Sequence, residues 1–369
     1  MNALLKKTFL FEKHKALGAE IVDFSGWEMP IKYKGILDEH KAVRENVGIF
    51  DTCHMGELLL KGNGAAETLQ YLIPRNVEKF KTGRCYYSHF CNFEGNILDD
   101  LVVYKIADEE YFLVVNSAAS DSDYLWVKSH LTDDCEIENL SNQIGKIDVQ
   151  GPSSRDLVND ILEQGQNVQA LSFYSFSKYK YHGDEIIISR TGYTGELGFE
   201  IYANAELIVE IWDKLLEVGS KFGCAPAGLG ARDALRLEAG FPLMGMDMSP
   251  DVSLIEAGFE KLIDFEKENF IGKDALLEIL SKPERKYRIG FIIPKGGIAR
   301  VHCRVLDIQK NYVGEVLSGT YSPSLKYAIG FAFVNKNLSP GDKLLFDIRG
   351  KHIEGQVVNP PFIQLRMMK

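Results

Sequence analysis

The sequence predicts an α+β fold that ends in a separate all-β domain, and three observations point there. Strand-like and helix-like segments alternate through the first 282 residues without repeating as βαβ units, which argues against a doubly wound sheet. After Ser281-Lys282-Pro283 the character changes. From Tyr287 to Leu365 the chain reads as short alternating strands with turn residues at intervals of about eight to twelve positions and little helix. The length, 369 residues with 45% hydrophobic and 25% charged, is that of two or three ordinary globular domains with room for a large core and a deep pocket.

Each element has its own signal. Residues 36–47 read as a short helix carrying His40 and Arg44, 57–61 as a strand and 65–73 as a helix. Three strands, 86–92, 96–106 and 111–116, are joined by turns at Glu94-Gly95-Asn96 and 107–110. A helix at 120–131 follows, then a strand at 146–150 and a helix at 153–163. Strands at 177–181, 185–190 and 199–202 surround a glycine turn. The helix at 205–222 is amphipathic, with Leu207, Ile208, Ile211, Leu215 and Val218 inward.

The formal net charge of −10, with no Lys/Arg block, argues against nucleic acid as the main partner. Six cysteines show no CxxC and no regular spacing, so reduced thiols and no structural zinc are expected. No apolar run approaches a membrane span, and the first residues are too short for a secretory signal. The expectation is a cytoplasmic protein, or one of the mitochondrial matrix if this is a mature eukaryotic chain, acting as a monomer and away from membranes.

The most informative stretch is 228–248, GLGARDALRLEAGFPLMGMDM. It reads as a helix over 231–239 stopped by Gly240 and Pro242. Arg232 and Arg236 are four apart and share a face. Arg232 sits near the helix N-terminus, where the macrodipole disfavours a cation, so a specific partner is expected for it. Together with VDFSGWEMP (22–30), GIFDTCHMGE (48–57), NILDDLVVY (96–104), SRTGYTGELGFE (189–200) and SGTYSPS (318–324), the segment resembles the aminomethyltransferase (T-protein) family of the glycine cleavage system. The six motifs stand in the family's order.

The resemblance implies three domains around a central channel: residues 1–52 with 137–242 as a first α+β domain, 53–136 with 243–282 as a second, and 283–369 as a barrel or jelly roll. It implies tetrahydrofolate as co-substrate, the lipoyl-bearing H-protein as partner, and no metal, nicotinamide or pyridoxal phosphate. On pattern alone Asp99 and Asp100 are polar residues leaving a turn, facing opposite ways and so unable to share a site. In the family match Asp100 is the catalytic carboxylate. Glu200 alternates with Phe199 and Ile201, and its family role is pterin recognition, where two parallel N–H donors meet two carboxylate acceptors. Tyr87 and Tyr174 read as core aromatics, and the resemblance puts them on the folate channel walls, with Tyr193 a third candidate. Asn116 reads as a strand-end cap and is implied to lie against the folate; Arg232 is implied to line the channel. His54 reads as a core histidine.

Four positions depart from the family pattern: Asn96 for a glycine, Cys53 for a serine, Met244 for a tyrosine, and Glu260-Lys261-Leu262 for a segment that carries a tryptophan. They leave two other activities to weigh: a tetrahydrofolate-dependent demethylase of a small methyl compound, and a non-catalytic folate-binding protein of iron–sulfur cluster maintenance. The latter branch has a cysteine in the segment where this chain has Arg190–Glu196 and none.

Overall fold

A computed structural model describes residues 4–368. A six-stranded sheet is built in the order Phe176–Tyr181, Asp184–Ser189, Gly198–Asn204, Ile144–Gln150, Val47–Asp51, Cys224–Pro226. Only the last pair is parallel. A five-stranded antiparallel sheet runs Arg84–Cys91, Ile97–Ala107, Glu110–Val115, Gly56–Gly62, Cys135–Asn139. The six C-terminal strands, Tyr287–Ile293 to Lys351–Val358, close into a barrel. The expected boundary at 136/137 falls inside Cys135–Asn139, which pairs with Gly56–Gly62, so residues 137–139 stand with the second sheet.

Strand alternation decides what each sheet shows to its neighbour. In the first sheet Ile147, Val149, Phe199 and Ile201 face the helices Ser154–Ile161 and Ala205–Gly219 and share a core with Ile208, Ile211, Trp212 and Leu215. The opposite face carries Lys146, Asp148, Gln150, Glu200 and Tyr202, all of them buried. In the second sheet Leu58, Leu60, Leu101, Val103, Leu113 and Val115 face the helix Ala65–Leu72. Its other face sends Cys85, Tyr104, Phe112 and Val114 against Phe176 and Tyr202 of the first sheet. The polar face of one sheet is thus sealed by the other, which places charged groups in a desolvated interior.

The helix Leu229–Glu238 joins these sheets to the barrel. Glu238, fully buried, accepts from Arg44 (2.7 Å) and from the Ser322 (2.5 Å) and Ser324 (2.9 Å) hydroxyls, and pairs with His40 at 2.8 Å. The conspicuous SGTYSPS motif is therefore a clasp between barrel and helix. The sequence reading passed over the hairpin Glu20–Phe24/Trp27–Lys32 and the helix Lys273–Ser281.

The glycines of two turns differ in what holds them. Gly195 alone of the three in SRTGYTGELGFE has a left-handed backbone, at φ +77°. Gly192 and Gly198 are held by space, because a Cβ at either would sit within 2.2 Å of the Gln150 amide. At the 94–96 turn the left-handed residue is Gly95 (φ +78°), so Asn96 stands where no glycine is required.

Candidate active site

Asp100 projects from Ile97–Ala107 on the face shared with Val102 and Tyr104, and Asp99 on the face shared with Leu101 and Val103, as alternation requires. They nevertheless meet at one residue. Asn116, at the end of the adjoining strand, donates its amide to Asp99 Oδ1 (2.8 Å) and to Asp100 Oδ1 (2.8 Å), and its backbone N–H to Asp99 Oδ2 (3.0 Å). The expectation that the two carboxylates cannot share a site is corrected. A strand end leaves room for a neighbouring side chain to reach both faces.

Asp123, on the helix Ser120–Ser129, lies within hydrogen-bonding reach of Asp99. Two carboxyls can bond to each other only through a proton on one of them. Among the described residues no cation pairs with this group. Burial raises Asp123, with the Asp99 charge adding to it. Burial and the Asp99 charge lift Asp100 to about 7, against the lowering effect of Asn116 and of the Tyr87 hydroxyl beside it. Tyr87 lies on the neighbouring strand, diagonal to Asp100, and burial and Asp100 push its phenol well up.

The second carboxylate group is built differently. Lys146 Nζ donates to Glu200 Oε1 (2.7 Å) and Asp148 Oδ1 (2.9 Å), and Arg232 Nη1 donates to Asp148 Oδ2 (2.7 Å). The result is an alternating chain, Glu200–Lys146–Asp148–Arg232, largely out of water. Glu200 Oε2 also accepts from the Thr191 (2.5 Å) and Tyr104 (3.3 Å) hydroxyls. The Lys146 and Arg232 charges and hydrogen bonds hold Asp148 well below the usual carboxylate range despite burial. Asp148 is the partner that Arg232's awkward helix position called for. Arg232 also lies 5.0 Å from the Tyr193 ring centroid.

Tyr174 links the two groups. It takes a left-handed backbone (φ 57°), an uncommon state for an aromatic residue, fixed by its N–H on Arg190 O and its carbonyl on Cys85 N. Its phenol, raised by burial, feels both Glu200 and Asp100. Tyr193 donates to Pro242 O at 2.5 Å and feels Asp100, Asp247 and Arg232. All seven sequence candidates, Tyr87, Asp100, Asn116, Tyr174, Tyr193, Glu200 and Arg232, therefore belong to one contiguous interior region. His54 is buried on its edge, against Phe24, with burial lowering it to about 4.

The reading missed Lys146, Asp148, Thr191, Tyr104 and Asp123. The available signal was Lys146-Ile147-Asp148-Val149-Gln150, a strand with charges on one face. Of the departures, Met244 and Leu262 pack with Tyr87 in one apolar cluster, while Glu260 and Lys261 are exposed on a short turn. Cys53 is buried and its backbone N–H binds Asp51 (2.8 Å).

Comparison with known proteins agrees with this geometry. Residues 10–267 match the GCVT N-terminal domain model, and 286–364 the glycine cleavage T-protein C-terminal barrel domain model. An aminomethyltransferase of Halothermothrix orenii is 41% identical over 97% of this chain and all of its own length. One from Thermoanaerobacter sp. is 40% identical over 99% of both. The crystal structure of glycine cleavage system aminomethyltransferase T from Bartonella henselae superposes with a TM-score of 0.92 at 31% identity, covering 99% of this chain and all of that one. The chain belongs to the glycine cleavage T-protein family.

Proposed function

We propose that this chain is the tetrahydrofolate-dependent aminomethyltransferase of the glycine cleavage system, and that Asp100 is its catalytic carboxylate. The supporting observation is an acid with raised proton affinity and no ion-pair partner among the described residues, aimed by Asn116 and Tyr87, in the same desolvated interior as an ion-paired acid, Glu200. The two carboxylates suit two tasks. Glu200, ion-paired with Lys146, accepts the N–H edge of the pterin. Its Oε2 is already engaged by Thr191 and Tyr104, so Oε1 has the freer lone pair for a ligand.

The reaction moves one carbon. The carrier brings S–CH2–NH2 on its lipoyl arm. N5 and N10 of tetrahydrofolate each form a bond to that carbon, the C–N and C–S bonds break, and the two folate protons leave on ammonia and on the lipoyl sulfur. Holding N5 and N10 beside the carbon is catalysis by positioning. As ammonia departs the carbon becomes iminium-like. A carboxylate beside N10 stabilises that charge and assists removal of the proton. The buried tyrosines 87, 174 and 193 supply flat walls with polar tips for the pterin and aminobenzoyl rings.

The test supplies tetrahydrofolate with either aminomethylated lipoyl carrier or small methyl donors such as dimethylglycine. Methylenetetrahydrofolate and ammonia from the carrier are expected. Methyltetrahydrofolate from a small donor, with no product from the carrier, would favour the demethylase.

A further inference from the structure

The edge strand of the second sheet, Arg84–Cys91, places His89 directly opposite Asp100 in the antiparallel register. Phe90 belongs to the core shared with the helix Ala65–Leu72, so His89 and Tyr87 look the other way, onto the face that carries Asp100. Directly opposed side chains of such a pair start about 5 Å apart at Cβ, close enough for one small molecule to touch both an imidazole and a carboxylate. His89 is fully buried. Its ring centroid lies 4.9 Å from that of Tyr87, edge to face, and 4.2 Å from that of Phe259. Yet neither ring nitrogen has a hydrogen-bond partner among the described residues. A desolvated polar group without a partner is destabilising, and here both nitrogens of one ring are left so beside the reacting carboxylate. A polar atom of a ligand would complete them.

The other polar groups near Asp100 are already spent. Asn116 gives its amide to Asp99 and Asp100, and the Tyr87 hydroxyl lies within hydrogen-bonding reach of Asp100. Tyr193 donates to Pro242 O, and Glu200 is paired with Lys146. The charge around His89 is positive. Arg288, on the first barrel strand Tyr287–Ile293, lies over Phe259 with its guanidinium carbon 5.0 Å from the ring centroid, and Arg75 donates to Tyr87 O at 3.0 Å. Burial, with these two cations, lowers His89 to about 3, so the ring is neutral at the pH where Asp100 works. A neutral imidazole has one donor and one acceptor nitrogen. With arginines beside it, such a ring suits a small neutral molecule that has N–H donors and a lone pair, and disfavours a cation. The reaction releases one molecule of that kind, the amine that leaves as ammonia.

We infer that His89 binds the leaving amine of the aminomethyl carrier, and the ammonia it becomes, next to Asp100. This rests on the aminomethyltransferase reading above. As the C–N bond breaks, its electron pair stays on nitrogen. The proton that Asp100 takes from N10 passes to that nitrogen and completes NH3, while the N10 electron pair forms the new bond to carbon. His89 gains and loses no proton. Its ring fixes the amine within reach of Asp100, which is catalysis by positioning, and the arginines beyond it favour departure as neutral ammonia.

The experiment runs the reaction in reverse, from dihydrolipoyl carrier, methylenetetrahydrofolate and ammonia to aminomethylated carrier and tetrahydrofolate. His89→Leu should raise the KM for ammonia about three- to tenfold, the worth of one hydrogen bond between neutral groups, and leave the KM for methylenetetrahydrofolate and for the carrier unchanged. His89→Gln, which keeps a donor and an acceptor, should recover part of the ammonia affinity. Equal rises in all three KM values would make His89 a packing residue between Tyr87 and Phe259. An unchanged KM for ammonia would overturn the inference. If His89→Leu does not fold, the wild type decides by nitrogen NMR of isotope-labelled histidine. Ammonium chloride should then move the ring resonances that are missing from His89→Gln, and sodium chloride should not; no movement would overturn the inference as well. Failure of the wild type to aminomethylate the carrier at all would instead defeat the functional reading, and this inference with it.

Discussion

The Asp100 and Glu200 ends of the interior contain the same chemical group in opposite electrostatic states. At the first, Asp99, Asp100 and Asp123 lie close together with no cation among the described residues paired to them, and burial raises all three. At the second, Lys146 and Arg232 alternate with Glu200 and Asp148, and Asp148 is pulled far down. Burial is comparable, so it is the presence of cations that separates them. One end holds an acid poised to exchange a proton near neutrality, and the other holds its acids in ion pairs.

The largest effect expected from breaking this contrast is at Asp100. Asp100→Asn should lower turnover by about 10²–10⁴ with folate affinity changed only a few-fold. Because Asn116 ties the pair together, Asp99→Asn should also lower turnover, by less, by disturbing the amide that aims Asp100. A loss of folate affinity in Asp100→Asn equal to the loss of turnover would remove the distinction between a reacting and a binding carboxylate. In the wild type, the acid limb of kcat should lie near pH 7 instead of near 4, since Asp100 works ionised and has Asp99, Asn116, Tyr87, Tyr174 and Tyr193 around it with no cation among the described residues paired to it. A rate flat from pH 8 to pH 5 would contradict this.

At the other end the cation is the weak point. Lys146→Met leaves Glu200 buried without its cation and Asp148 with Arg232 alone, and should cost about 3–5 kcal/mol in urea unfolding. Adding Glu200→Gln to that variant should recover part of the loss, because one uncompensated charge disappears. If the two changes simply add, the alternating chain is not a unit. Glu200→Gln alone should weaken tetrahydrofolate binding by roughly 1–3 kcal/mol, about ten- to a hundredfold, as an acceptor becomes a donor.

How much of this was legible in the sequence follows from the same contrast. The α+β class and the barrel were readable, and Asp100 could be singled out, because periodicity, the break at 281–283 and ordered motifs are local in the chain. The strand 146–150 was also found, and its charged face was visible. Nothing local says whether a polar strand face meets water or a second sheet, so Lys146 and Asp148 were passed over. Asp123 begins an ordinary-looking amphipathic helix, and Arg288 stands at the entry to a barrel strand where a solvated cation is normal. Both acquire meaning only through partners distant in sequence, Asp99 for one and Phe259 for the other. The alternation rule gave the correct faces for Asp99 and Asp100 and the wrong conclusion, because Asn116 spans the strand end.

The smallest effect expected is at Asp123, and it bears on the proton that the acid cluster holds. A protonated carboxyl and a carboxamide are close in shape, and both donate to Asp99. Asp123→Asn should therefore keep turnover within a few-fold, whereas Asp123→Ala, with no donor, should lose more and leave Asp99 without its partner. Stability should report the same proton. The folded-state affinity of Asp123 is raised, so above about pH 4 the unfolded chain has released a proton that the folded chain retains. The unfolded state then binds fewer protons, and the free energy of unfolding falls as pH rises, by up to about 1.4 kcal/mol per unit from this group. Asp123→Asn removes the titration and should flatten that decline between pH 5 and pH 8 in urea melts. An unchanged slope would mean that Asp123 is ionised in the fold and that a cation, not a shared proton, stands between it and Asp99.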